Sequence, residues 1–461
     1  MSLRFKLQLV VMSDDNEVCV DDVVVLDKQH ERLEHLGLSL GEAKTLLLEL
    51  QRQVVTRQIA AFLATRAACP SCGRTRGIKD RKTVVFRTLF GNLELASPRL
   101  RRCPCQHAGQ SSTSPLVELL PEHTAPELLY LETKWSSLVS YGLTVKALRD
   151  FLPVNAKLNA TSVRRQTLRV ARRCETDLHA QSEAVSRPSR RSQHAPAVVG
   201  IDGGYLRHWE HKQTHFVAIV GKSVPTSGAA KCFGFVQSQD GWPRRRLVAT
   251  LQAQGLRSGP KLAFLSDGED SIRSLQWHLS PRAQHVLDWF HLAMRLQRLR
   301  QFLVGLTHLD KAVGTQMQSA LERTKWSLWH GKPKQAFDRF REVEWRIWQF
   351  ATRYPKFSAL ARAVNEFQRY IDRNAYIIPD YGARWRAGQV ISTAFIESLV
   401  NSLLAKRFAK KQSMQWTPEG AHLLLQMRTR TLNGDLASTF RNRYPDFSVA
   451  DQAVTQHSLA A

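Results

Sequence analysis

Residues 197–206 read AVVGIDGGYL, and the architecture hangs on this stretch. Its first five residues are small or branched and apolar, the composition of a strand buried on both faces. Asp202 follows that run directly. Gly203 and Gly204 come next and leave room for a backbone or a ligand to approach closely. A second apolar run, KLAFLS over 261–266, ends the same way at Asp267-Gly268. An acid at the carboxyl end of a core strand faces the crevice in which α/β proteins bind ligands. One such Asp is usually a turn residue. Two, each ending a core strand of one sheet, point to a cation site.

Downstream of the first run, 214–221 (THFVAIVG) and 231–237 (KCFGFVQ) read as two further strands beside it. Then 243–255 (PRRRLVATLQAQG) reads as a helix, 269–279 as a helix, AQHVLD over 283–288 as a strand, and 289–306 as a helix. Three strands followed by alternating helix and strand predict an α/β sheet of mixed direction. That succession resembles the RNase H order, with a helical insertion over about 305–390. Asp288-Trp-Phe-His291 closes the last strand; the pair could share a metal, orient a water or bond one another. The tryptophans Trp326, Trp329, Trp345 and Trp348 fall at helical spacing and are expected in the core of the insertion. Beyond it, Ile396, Leu399, Val400, Leu403 and Leu404 form an apolar stripe that sets Glu397 and Asn401 side by side on its border. Glu419 has a structural role instead: Thr417 caps, Pro418 opens a helix, and the acid faces its dipole.

Upstream, Cys69-Pro-Ser-Cys72 and Cys103-Pro-Cys105 form two short knuckles separated by a hairpin-like segment with Gly91-Asn92 at its turn. Four thiolates brought together in this way suit one structural Zn2+, with His107 as the alternative to Cys105. Cys19, Cys174 and Cys232 stand alone and read as packing residues. Residues 143–174 suggest a helix-turn-helix: a short helix, a break near Pro153, and a second helix capped by Thr161 or Ser162. That second helix carries Arg164, Arg165, Gln166, Arg169, Arg172 and Arg173, side chains suited to phosphates and base edges. Later, Lys406, Arg407, Lys410 and Lys411 suit a phosphate track.

The expected organisation is therefore an N-terminal helical region (1–66), zinc-binding knuckles (67–110), a helix-turn-helix-like region (115–180), a Ser/Arg/Pro-rich linker (181–196), an α/β domain (197–435) and a C-terminal tail (436–461). The 461 residues carry 66 Lys plus Arg against 40 Asp plus Glu, a net charge of +26 that favours a polyanionic partner. At 43% hydrophobic and 23% charged residues the composition is that of a folded chain, not a disordered one. No apolar run is long enough to span a bilayer, and the opening run is too short for a signal peptide. A cytoplasmic chain with reduced cysteines is expected.

Asp202 in IDGGYL, Asp267 in LSDGED, Asp288-Trp-Phe-His291 and Glu397 in FIESLVNSLL together resemble the DDE signature of bacterial insertion-sequence transposases, nearest the Mutator-like branch. The cysteine knuckles ahead of a helix-turn-helix are similar to that branch as well. The compressed Cys103-Pro-Cys105 knuckle, and Asn401 without a basic residue close behind it, depart from the pattern. The resemblance implies an RNase H-like catalytic domain in which Asp202, Asp267 and Glu397 hold two Mg2+ (or Mn2+), with Asp288, His291 and Asn401 as auxiliary residues. It implies cleavage and strand transfer on transposon-end and target DNA in the bacterial nucleoid, by a homo-oligomer that pairs two ends. A catalytically inactive zinc-containing DNA-binding relative and a purely hydrolytic nuclease of the same fold are the alternatives.

Overall fold

The computed structural model describes residues 2–12, 18–29, 32–105, 111–180, 197–225, 228–255, 262–308, 310–349, 356–408 and 414–449. The chain divides into two compact units, Met1–Val170 with Gly434–Ala461, and Ala171–Asn433. The division falls within a helix, and not at the expected linker 181–196, which lies outside the described residues.

The first unit opens differently from the helical reading. Strands β1 (Ser2–Met12) and β2 (Val18–Gln29) form an antiparallel hairpin. The alternation of Phe5, Leu7 and Leu9 with Lys6 and Gln8 has period two, which a strand satisfies and a helix does not. Helix α1 (Leu40–Ala67) starts at a capping box in which Ser39 and Glu42 satisfy each other's backbone N–H. Strands β3 (Ile78–Thr88) and β4 (Gly91–Arg101) then pair from Ile78 opposite Leu100 to Thr88 opposite Gly91, so the turn is Leu89-Phe90 and not Gly91-Asn92. The two-residue β5 (Ser112–Thr113) extends the sheet beside β4. Val55 and Ile59 of α1 pack on Leu93 and Leu95 of β4 and on Leu116 of α2 (Pro115–Leu119).

Helices α3 (Pro126–Leu138), α4 (Tyr141–Phe151) and α5 (Ala160–Ala180) follow. The cap of α5 is Asn159, which accepts from Ser162 N at 2.9 Å, not Thr161 or Ser162. Residues expected in the C-terminal tail include a helix, α16 (Leu436–Arg443). Its Phe440 meets Tyr130 of α3 edge-on at 5.4 Å.

The second unit is built on a five-stranded mixed sheet of order β10-β9-β6-β7-β8. Strands β6 (Ala197–Arg207), β7 (His215–Pro225) and β8 (Lys231–Val236) run antiparallel, while β9 (Leu262–Ser266) and β10 (Gln284–Leu287) run parallel to β6. Helices α6 (Pro243–Ala253) and α7 (Asp270–Leu279) make the crossovers that parallel neighbours need. Alternate residues serve two layers. Val199, Ile201, Ile219, Phe233 and Phe235 bury against Leu247, Leu251, Ile272 and Leu279 of α6 and α7. Complete burial of such a side chain contributes about 1.5–3 kcal/mol. The opposite face, through Leu265 and Leu287, joins the core of α8 (Trp289–Thr307), α9 (Lys311–Trp329), α10 (Pro333–Gln349), α11 (Phe357–Asn374) and α12 (Tyr381–Arg386).

Only part of the expected tryptophan core forms in these helices. Trp329 packs beside Trp289 and Tyr381, but Trp326, Trp345 and Trp348 are exposed. On α10 the buried stripe is Ala336, Phe340, Val343 and Ile347, and Trp345 and Trp348 stand off it. Three helical elements complete the second unit: α13 (Ala394–Val400), which continues through the π-helical Asn401–Ala405 into α14 (Lys406–Phe408), and α15 (Pro418–Leu432), whose Leu425 lies against Gly234 of β8.

One buried ionic network ties the second half of α5 to α6 and α15. Arg246 donates to Asp240 at 2.8 Å, to Glu175 at 2.8 Å and to Gln426. His422 accepts from Val236 N through Nδ1, which leaves Nε2–H to face Glu175 at 3.1 Å. Burial alone would raise the Glu175 carboxyl, but hydrogen bonds from His422 and Arg246 outweigh it and hold the pKa at about 2. Arg246→Ala would strand two acids in the interior, so we expect a loss of about 3–5 kcal/mol in urea unfolding. A folded pKa below the unfolded value means that the Glu175 contribution is intact above about pH 4.5 and disappears as pH falls toward 2. Acid titration of Glu175→Gln should lack that component.

Candidate functional site

The carboxyl ends of β6, β9 and β10 share one edge because the three strands are parallel and adjacent. The register sets Gly200 opposite Leu265 and Leu287 opposite Ser266. Carried one or two residues further, it brings Asp202, Asp267 and Asp288 level across the three strands. Asp202 does not end its strand as expected. Strand β6 runs on to Arg207 against β7, with Asp202 opposite Val220, while β9 stops at Ser266. The residues of β6 from Asp202 onward are therefore flanked by a strand on one side only. Asp202 and Asp267 are half-buried there. Asp202 accepts from Gly203 N at 2.7 Å, and Asp267 from Glu269 N at 3.0 Å.

Asp202 shares its sheet face with Gly200 and Gly204, two residues to either side. Those glycines are the floor on which α13 lies. A Cβ at Gly200 would collide with Ile396 and Phe395, and one at Gly204 with Leu404. Glu397 follows Ile396 directly, on the helix that crosses β6 over Gly200 and Gly204; its side chain lies outside the described residues. Asn401 is exposed at the start of the π-helical segment. Beyond Gly204, a cavity of about 320 Å³ runs between β6 and this helix, lined by Tyr205, Arg207, His215, Val400, Leu404 and Phe408 among others.

Asp288 behaves differently from its two neighbours. It is fully buried, caps α8 by accepting from Phe290 N at 2.8 Å, and is bonded to Thr393; His291 Nε2 stands 3.6 Å from it. Two tyrosines, which sequence reading did not single out, hold the same edge from the helical region. Tyr370 donates to the Asp267 carbonyl at 2.6 Å, and Tyr381 to the Leu287 carbonyl at 2.8 Å. Gly268, at φ +79°, turns the chain away so tightly that a Cβ would strike Asn374 and Leu287. Among the described residues these acids do not close into a three-ligand cluster.

Two groups of side chains do close. Cys69, Cys72, Cys103 and Cys105 bring their four sulfurs within 4.8 Å of one another. The separations are 3.5 Å for Cys69–Cys105, 3.4 Å for Cys72–Cys103 and 3.3 Å for Cys72–Cys105. Ligands at the usual Zn–S distance form a tetrahedron with edges of about 3.8 Å, so small shifts would admit the ion. The local fold explains the approach. Cys69 N donates to Arg74 O and Gly73 N to Cys69 O, which forms the first knuckle, and the β3–β4 hairpin returns the chain to it, Arg101 N meeting Gly77 O at 2.8 Å. The Ser71 N–H, opposed by burial and aided by Cys72 N–H, lowers the Cys69 thiol to about 6. Crowding by Cys72, Cys103 and Cys69 pushes Cys105 up to about 12, a conflict that a bound cation relieves. The group could hold a structural metal such as zinc through Cys105; the alternative, His107, lies outside the described residues.

The second group, His208, Glu210 and His211, sits in the β6–β7 turn. His208 Nδ1 accepts from Glu210 N and His211 N, so the neutral ring carries its proton on Nε2 and offers no lone pair there. His208 thus serves the hydrogen bonding of the turn itself.

The basic side chains expected to meet DNA divide. Arg164 and Arg165 are exposed. Arg169 lies 3.6 Å from Glu122, and Arg172 is bonded to Glu419 at 2.8 Å. Lys406 is exposed, whereas Arg407 is buried and stacks on Trp416 at 5.2 Å. Lys410 and Lys411 lie outside the described residues. Of the lone cysteines, Cys174 and Cys232 are buried as expected for packing residues, and Cys19 is exposed. No helix among the described residues is long and apolar enough to cross a membrane. No family model matches the chain, and no curated protein matches it either.

Proposed function

We propose that this chain is a DDE-type DNA transposase with an RNase H-like catalytic sheet. The observation that carries the reading is the level register of Asp202 and Asp267 beneath the helix that bears Glu397. The strand order, with three antiparallel strands and two parallel ones beside the first, supports it too. Asp202, Asp267 and Glu397 would hold two Mg2+ or Mn2+ ions, for which carboxylate oxygens are suitable hard donors. When bound, such ions supply an acidified water and charge neutralisation at a leaving oxygen.

The chain's own residues supply position. Asp202 stands in the middle of a paired strand, Tyr370 fixes the backbone of Asp267, and the glycine floor lets α13 approach. Water attacks the phosphodiester at a transposon end, breaks the P–O3′ bond and leaves a 3′-hydroxyl and a 5′-phosphate. The 3′-hydroxyl then attacks a target phosphodiester, and one P–O bond forms as another breaks, so no external energy source is needed. Pairing two ends calls for more than one copy of the chain. The four-cysteine knuckles, holding zinc, and the exposed Arg164 and Arg165 belong to recognition of the ends in this scheme.

The test is incubation of the purified protein and Mg2+ with DNA taken from either side of its reading frame. Nicked and joined products support the proposal. Hydrolysis without joining assigns a nuclease, and binding without cleavage an inactive relative. Within the DNA-binding arm, Arg165→Ala should reduce discrimination between end and random DNA by about 1–3 kcal/mol, as loss of a base contact does. A paired arginine such as Arg172 should change it far less. Filter binding across a salt series measures both, and equal losses on both DNAs would mean that Arg165 reads phosphate only.

A further inference from the structure

We propose that Asp288 is a positioning residue for the catalytic centre and not one of its metal ligands: its carboxylate latches the start of the Glu397 helix to the end of β10. The inference rests on reading Glu397 as a catalytic acid. Asp288 has no solvent exposure, and its oxygens are already committed. Oδ1 accepts from Phe290 N at 2.8 Å and from Thr393 N at 3.0 Å, and Oδ2 accepts the Thr393 hydroxyl. These donors stabilise the buried charge and leave little capacity for a cation.

Thr393 is itself buried, and its carbonyl accepts from Ile396 N at 2.6 Å, so α13 begins from it. Glu397 stands one helical turn further on, about 6 Å along the axis. The helical region leaves the sheet at Trp289 and returns at Thr393, and the same carboxylate binds both ends. Trp289 N donates to Ile391 O at 3.0 Å beside it, and Asp288 N to Ser266 O at 2.9 Å. The Asp288 side chain thus fixes the starts of α8 and α13 against each other, while its backbone N–H holds the end of β10 to β9. Ile396 and Leu404 of the Glu397 helix fill the space above Gly200 and Gly204, and the bonds to Thr393 hold the first turn of that helix.

The test compares wild type with Thr393→Val, which removes the hydroxyl but keeps shape and backbone, Thr393→Ser, which restores it, and Asp288→Asn. Hydrogen exchange of residues 394–405 should be at least tenfold faster in Thr393→Val. Protection of α15 and the melting temperature should stay near wild type, and Thr393→Ser should behave as wild type. On end DNA, kcat should fall at least tenfold in Thr393→Val with KM unchanged, and Thr393→Ser should recover it. Wild-type exchange in Thr393→Val, or faster exchange spread over the whole sheet, would overturn the latch. So would bound Mn2+ lost from Asp288→Asn but kept, with normal exchange, in Thr393→Val, because that marks a ligand. A wild-type protein that never cleaves DNA would remove the transposase reading and leave the exchange comparison to judge the latch alone.

Discussion

Alanine at Asp202, Asp267 or Glu397 is expected to reduce DNA strand cleavage at least about a thousand-fold, a scale that loss of a single electrostatic stabiliser already reaches. DNA binding should persist in all three variants, since a net charge of +26 barely changes with one acid. The three should also resemble each other, because residues acting on one centre are strongly non-additive. A gel assay for nicked and joined products, paired with a binding titration, measures this. Asp288→Asn should differ from them, with slower cleavage and altered exchange in α13. Cleavage that survives in Asp202→Ala would remove the site from that strand altogether.

Removing the metal from the cysteine knuckles should have the largest effect on folding. Structural zinc in small sites contributes about 10–16 kcal/mol of apparent binding energy at neutral pH. The described part of the knuckles has little apolar cover beyond Cys69 and Cys103 themselves. Chelation, or the double change Cys72→Ser and Cys105→Ser, is expected to unfold the ends of β3 and β4 nearest the knuckles and to abolish recognition of end DNA. The sheet of β6 to β10 should remain protected from exchange, since its core lies in Ala171–Asn433. Elemental analysis should find one zinc per chain in the wild type. Less than half an equivalent, with end recognition intact, would count against a structural zinc there.

The parts of this structure legible in the sequence are those set by local pattern. The apolar runs before Asp202, Asp267 and Asp288 mark three strands, and Ile396 to Leu404 mark the stripe that lies on the first of them, because burial imposes a period on neighbouring residues. The cysteine spacing points to the four sulfurs that do meet. The first strands escape a helical reading of the N-terminal region because the period-two alternation of Phe5 to Leu9 is short and runs into Val10 to Met12 and, later, Val23 to Leu26, apolar runs that fit a strand or a helix alike. The exposed tryptophans are misplaced for a related reason. Residues three apart share one helix face, but their spacing does not say whether that face is buried, and on α10 the buried stripe of Ala336, Phe340, Val343 and Ile347 leaves both Trp345 and Trp348 outside it.

What no local pattern carries is the set of long-range bonds. Glu175 to Arg246 and His422, Tyr370 to the Asp267 carbonyl, and Asp288 to Thr393 join residues 71, 247, 103 and 105 positions apart. Each partner looks like an ordinary surface or cap residue in its own segment. The cap role of Asp288 is readable; its second role, closing the helical region back onto the sheet, is not. Likewise composition places the domain boundary at the Ser/Arg/Pro-rich linker, whereas Glu175 commits the end of α5 to the second unit.

Everything functional proposed for this chain depends on Asp202, Asp267 and Glu397 forming one divalent-metal centre. Anomalous scattering from crystals of the protein soaked with Mn2+ decides whether they do. Peaks are expected in contact with the Asp202 and Asp267 carboxylates, with Glu397 in the same coordination shell and Asp288 outside it. Mn2+ bound elsewhere, or a Glu397 carboxylate turned away from a site that Asp202 and Asp267 occupy, would contradict the assignment.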